Sequence, residues 1–118
     1  MLLIYAEETE PTGSQEERDA EWEKWGTYTN DMQEAGAMVA GEALRPSTTA
    51  TTVRVREGER VTSDGPFTET KEVLGGYYLI DVDSIDDAIE WAARCPAAFY
   101  GSMEVRPILP MEELVPAE

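Results

Sequence analysis

Asp64-Gly65-Pro66-Phe67-Thr68-Glu69-Thr70-Lys71-Glu72 is the densest run of side chains capable of chemistry in this 118-residue chain. Gly65-Pro66 forces a turn. The turn presents carboxylates and a lysine directly ahead of the apolar run Gly75-Gly76-Tyr77-Tyr78-Leu79-Ile80. Asp64 has two readings. Held rigidly inside a pocket, its carboxyl would be pushed up by loss of solvent and would serve as a general base. Alternatively, it accepts backbone hydrogen bonds that fix the turn itself. Glu69 and Glu72, three apart, share one face of any helical turn there, a spacing suited to a hard cation or to ion pairs with Lys71. Without a carbonyl-rich loop, the ion pairs are expected.

Other candidates stand on strands. Glu42 and Arg54 are polar residues in segments that would otherwise feed an interior, where each needs a partner or a ligand. Arg54 and Arg56 either offset the surrounding acids or contact an anion near the signature turn. Tyr5, Tyr77 and Tyr78 suit the lining of a cavity between subunits, or equally a core or interface. The candidate ligand-binding set is therefore Tyr5, Glu42, Arg54, Asp64, Phe67, Glu69 and Tyr77, with Asp64 as the candidate catalytic group. With no histidine and a single cysteine, Cys95, the chain offers no thiolate or imidazole cluster, so neither a metal nor another cofactor is expected.

Composition narrows the partners. A net charge of -16 argues against DNA, RNA and anionic membrane surfaces, all of which need clustered Lys and Arg. Much of that charge lies between Glu7 and Glu23, where eight acids meet the single Arg18, and a solvated helix face accounts for it. No run approaches the roughly eighteen apolar residues of a membrane span. Met1-Leu2-Leu3-Ile4-Tyr5-Ala6 is too short for a signal segment and is followed by Glu7 and Glu8, so a cytoplasmic location is expected. At 42 % apolar residues the chain can bury one modest core, which points to one domain over 1–118.

The elements that position these groups follow from periodicity. Leu2 to Ala6 reads as a strand. Ser14-Gln15-Glu16-Glu17 fits a capping box that opens a long helix with Trp22, Trp25, Tyr28 or Thr29, Met32 and Ala35 as its apolar stripe, stopped at Gly36. Met38 to Leu44 is a second strand, closed by Pro46. Thr51 to Arg56 and Glu59 to Thr62 form a hairpin through Glu57-Gly58. Tyr77 to Val82 is a strand apolar on both faces, with Tyr78, Ile80 and Val82 on one side and Tyr77 and Leu79 on the other. Ser84 and Asp87 cap a second helix whose inward stripe is Ile85, Ala88, Ile89 and Ala92, ended by Cys95-Pro96. Met103 to Ile108 is the last strand, and 110–118 forms a loose or partner-embracing tail.

Strand, helix, strand, inserted hairpin, strand, helix, strand is the order of an α+β fold, ferredoxin-like βαββαβ with an inserted β-hairpin, both helices covering one face of an antiparallel sheet. The other face, with Tyr77, Leu79 and part of the first strand, needs a cover, and a second copy is the simplest one. A homodimer is expected.

The Asp64-Gly65-Pro66-Phe67 motif, its continuation to Glu72 and Gly75-Gly76-Tyr77-Tyr78 carry a resemblance. So do Val39-Ala40-Gly41-Glu42, Glu90 to Pro96 and Gly101 to Pro107. On these residues the chain resembles the YCII-related, or DGPF-domain, proteins. The resemblance covers nearly the whole chain. It implies a dimeric α+β barrel in a small bacterial cytoplasmic protein, and frequent genomic association with extracytoplasmic-function sigma factors. Some relatives in the wider superfamily are enzymes acting on small ring compounds, similar to muconolactone isomerases, with a histidine paired to an aspartate as the proposed active site. This chain has no histidine, so that pair is not carried over.

Two functions follow. One is a dimeric small-molecule-binding or accessory module whose cavity is rimmed by the signature loop. The other is a cofactor-independent lyase or isomerase of small organic acids, with Asp64 as base and Arg54 holding the anion. The missing histidine favours the first.

Overall fold

The computed structural model describes residues 1–8, 13–68 and 70–114. Strand β1 (Leu2–Ala6) leads to helix α1 (Gln15–Glu34), whose first turn is closed by Ser14: its Oγ accepts from the Glu17 N–H at 3.1 Å. Strand β2 (Met38–Ala43) and a 3-10 turn at Ser47–Thr49 lead to a hairpin, β3 (Thr51–Arg56) and β4 (Glu59–Asp64), joined by Glu57 and Gly58, both at positive φ. Strand β5 (Val73–Ile80) is followed by helix α2 (Ile85–Arg94), capped by Ser84 Oγ on the Asp87 N–H at 3.2 Å. A 3-10 turn (Pro96–Phe99), strand β6 (Ser102–Val105) and one exposed helical turn, α3 (Met111–Leu114), complete the described chain. No helix among the described residues is long and apolar enough to cross a membrane.

The fold is α+β, with antiparallel sheets and three helices. Four strands pair in the order β2-β5-β1-β6, and β3 and β4 form a second sheet of their own. Two irregularities, at Ile4/Tyr5 on β1 and at Met38/Ala40 on β2, interrupt the ladders to β5. At Gly76 the neighbouring strand comes so close that a Cβ would stand 2.7 Å from the Glu42 carbonyl oxygen, so the second glycine of the signature is a condition for β2–β5 pairing.

Side-chain alternation sends Leu2, Ile4, Tyr78, Ile80, Met103 and Val105 to the helix side. There they meet Tyr28 and Met32 of α1 and Ala92, Cys95 and Ala97 at the end of α2. Tyr28 is the hub. Its ring lies edge-on to Tyr78 at 5.6 Å and to Trp91 at 6.2 Å, and its hydroxyl donates to the Trp91 carbonyl at 2.7 Å. The hydroxyls of Tyr78 and Thr29 bond at 2.8 Å.

Several sequence expectations shift here. Trp22 is 75 % exposed and Ala35 is exposed, so neither joins the buried stripe. Twenty helical residues extend about 30 Å whereas the five of β1 extend about 17 Å, so the N-terminal half of α1 runs past the sheet. Ile85 and Ile89 are each 51 % exposed, while Ala88 and Ala92 are buried and Trp91 packs on the core. The inward face of α2 is thus turned toward Trp91, with alanines allowing close approach. Strand β5 begins at Val73 and ends before Val82, β4 runs on to Asp64, and β6 stops at Val105. Beyond β6, the Met1 amine and the Arg106 N–H each bond the other residue's carbonyl. Residues 115–118 of the expected tail lie outside the described residues.

Candidate ligand-binding face

Alternation also defines the second face of the main sheet, on which neither α1 nor α2 packs. A row crosses all four strands there: Glu42 on β2 stands opposite Tyr77 on β5, Tyr77 opposite Leu3 on β1, and Leu3 opposite Glu104 on β6. Leu3 and Tyr77 are half-buried and Glu42 is exposed. Glu104 Oε1 accepts from Arg106 Nη2 at 2.9 Å, whereas its Oε2 is buried without a hydrogen-bond partner. Tyr5, two ladder positions along β1 from Leu3, pairs with Ser102, whose hydroxyl donates to Glu72 Oε2 at 2.9 Å. The face is an apolar and aromatic strip between carboxylates, a surface suited to a small organic molecule with an apolar body and polar ends.

The sequence candidates divide between two places. Tyr5, Glu42 and Tyr77 share this face. Arg54 and Asp64 stand on the β3–β4 hairpin, exposed, opposite Val61 and Thr51 respectively. Arg54 and Glu42 therefore do not meet within the chain. Phe67 is 76 % exposed in the signature loop, and Glu69 lies outside the described residues.

The turn after β4 is tied by groups other than the Asp64 carboxylate. The Gly65 N–H donates to the Ala50 carbonyl at 2.7 Å, and Thr52 Oγ1 donates to the Gly65 carbonyl at 2.8 Å. Among the described residues the Asp64 side chain has no hydrogen bond. A backbone bond and the Thr52 hydroxyl, brought together at the hairpin base, make the tie, so the carboxylate is not needed for it.

Lys71 and Glu72 also find partners other than each other. Lys71 Nζ reaches Glu7 Oε1 at 3.2 Å, and Glu72 takes the Ser102 hydroxyl. No helical turn forms at these residues. Glu8, next to Glu7, accepts from the Ser47 N–H at 2.6 Å and from the Ser47 hydroxyl, and these bonds pull its carboxyl below the usual range. The end of β1 thereby holds both linkers of the hairpin, the outgoing one at Ser47 and the returning one at Lys71.

A second concavity escaped the sequence reading. A groove of about 720 Å³ runs between α1 and the turn after α2, lined by Lys24, Tyr28, Asp31, Arg94, Phe99 and Tyr100. Arg94 lies 4.4 Å over the Trp91 ring and bonds Asp31 at 3.0 Å. Burial pushes the phenols of Tyr28 and Tyr100 and the Cys95 thiol upward, so all three stay protonated at neutral pH. The signals were the three-residue spacing of Trp91 and Arg94 and the Phe99-Tyr100 pair beyond Pro96. Among the described residues no three carboxylate or thiol groups are arranged to hold a metal ion.

A four-stranded antiparallel sheet with both long helices on one side defines a class of small α+β proteins. The YCII-related domain model matches residues 1–112 of the chain. An uncharacterised protein of Rhizobium meliloti (strain 1021) is 38% identical over 110 residues, covering 91% of this chain and 89% of that protein. The chain belongs to the YCII-related family.

Proposed function

We propose that the whole chain works as one domain of a homodimer in which two ferredoxin-like sheets meet open face to open face, closing a dimeric α+β barrel. The cavity between them holds a small organic molecule. The observation that carries this reading is the Glu42–Tyr77–Leu3–Glu104 row: a strip apolar at its centre and acidic at its ends, on a face that neither long helix covers. Water covers such a strip poorly, and a second copy of the same surface buries its apolar centre. The strand order β2-β5-β1-β6 supports the ferredoxin-like description, and the acidic composition suits a cytoplasmic module that binds neither nucleic acid nor membrane. Tyr5, Glu42 and Tyr77 would line the cavity. An accessory role beside sigma factors would use the same dimer.

The lyase or isomerase reading draws no specific support, since Asp64 and Arg54 stand exposed on the hairpin and, within one chain, apart from the sheet residues they would serve.

Native mass spectrometry of gently purified protein tests the proposal. A species at twice 13.1 kDa carrying a defined extra mass is the expected result. An apo dimer removes the small molecule from the reading, and a 13.1 kDa monomer overturns the barrel.

A further inference from the structure

The β3–β4 hairpin is positioned but uncovered. Every residue in it except Thr52 is exposed, with Val53 at 57% and Val55 at 61%. A two-stranded ribbon with no packed face is marginal in water. Yet this one is anchored at its base by the Gly65–Ala50 and Thr52–Gly65 bonds, and its linkers are held to β1 by Glu8 and Glu7. It projects as an arm. The radius of gyration is 17.4 Å, against about 13–14 Å for a compact chain of this length.

Charge says where the arm belongs. Arg54, Arg56 and Arg60 are three of the nine cations in a chain of net charge -16, and none forms an ion pair among the described residues. Glu59 stands opposite Arg56 near the tip, whereas Arg54 and Arg60 face Val61 and Val55. Strand alternation puts these two arginines on opposite faces of the arm, and Arg54 shares its face with Val61 at the arm's centre. The open sheet face has the complementary pattern: Leu3 and Tyr77 at its middle, and at one end Glu104 with a buried carboxylate oxygen that lacks a partner. The other oxygen of that carboxylate is held by Arg106 and the side chain as a whole is 40% exposed, so a second cation reaching this end would add a charge-assisted bond. The hairpin pairs with no strand of the main sheet, so an arm residue would reach this carboxylate from a second copy.

We infer that the arm of one copy lies across the open face of a second, with Arg54 donating to that copy's Glu104 and Val61 packing beside Leu3 and Tyr77. Six strand residues extend about 20 Å, enough to cross four strands spaced about 4.8 Å apart. Each binding face is then composite, completed by an arginine of the other copy. The inference rests on the face-to-face dimer proposed above and adds a contact that the dimer alone does not require.

The test is a charge exchange read by analytical ultracentrifugation. Arg54→Glu and Glu104→Arg should each raise the dimer dissociation constant at least about tenfold, because like charges then meet at both contacts. An equimolar mixture of the two variants should dimerise about as tightly as the parent, since every contact between unlike variants again pairs opposite charges. Far-UV circular dichroism confirms that each variant is folded, and Arg54→Ala, an exposed change far from the core, checks the loss independently. If the parent dimerises while the variants match it, or while mixing restores nothing, the arm contact is overturned and the sheet-face dimer stands. A monomeric parent overturns both.

Discussion

The main sheet and the β3–β4 arm both carry apolar side chains at strand spacing, Leu2 and Ile4 on one and Val53 and Val55 on the other, and they reach opposite ends. The sheet's helix side is closed by its own chain: Leu2, Met32 and Cys95 have no exposure at all. On the arm, Val53, Val55 and Val61 all face water. Strand pattern alone does not settle burial. What differs is whether a covering helix arrives within the same chain, and α1 and α2 serve only one face of one sheet.

The largest expected effect lies on the covered side. Met32→Ala removes a fully buried side chain and should cost about 2–5 kcal/mol, whereas Val55→Ala on the arm should stay within about 0.5 kcal/mol. Urea denaturation of dilute protein measures both, and equal costs would break the contrast between the regions.

A smaller effect sharpens it. Tyr28→Phe deletes the bond to the Trp91 carbonyl and should cost about 1 kcal/mol. The same residue imposes a pH limit. Burial raises its phenol above the ordinary 10.0, so the unfolded chain releases this proton first. The stability it contributes is complete below about pH 10 and is lost as pH rises further, through the raised folded value. In thermal melts from pH 8 to 11, Tyr28→Phe should flatten the alkaline fall.

The smallest effect sits at the arm's hinge. The Glu8 carboxyl is held below its ordinary 4.5 by its bonds to Ser47, so the contribution is present above that value and is lost as pH falls through the lower folded one. Amide exchange at Ser47, corrected for the intrinsic rate, should speed up below about pH 4 while the Leu2 amide stays protected. Glu8→Gln should remove that acid dependence.

Local chemistry was legible. Ser14 and Ser84 read as helix caps and are; Glu57-Gly58 read as the hairpin turn and is; Tyr78 and Ile80 separate from Tyr77 and Leu79 as a two-residue period requires. The candidate face was legible in part, because Tyr5, Glu42 and Tyr77 were singled out and share it. Glu104 and Ser102 were missed, since nothing in a short strand says which polar side chains will come to stand beside the apolar strip. Arg54 and Asp64 were grouped with the sheet residues because all lie close to the signature in sequence. The hairpin's departure into its own sheet separates them.

By itself, then, the sequence determined where helices begin, where turns fall, which strand positions alternate, and the family to which the chain belongs. These depend on interactions spanning a few residues, or on motifs that survive as strings. Only the tertiary structure decided that α2 turns Trp91 inward and leaves Ile85 and Ile89 outside, that Trp22 overhangs the sheet, that Lys71 pairs with Glu7 and Glu72 with Ser102, and that the arm stands uncovered. Burial and ion pairing depend on distances between segments far apart along the chain. Those distances exist only once helices of about 30 Å and strands of about 17 Å have packed together.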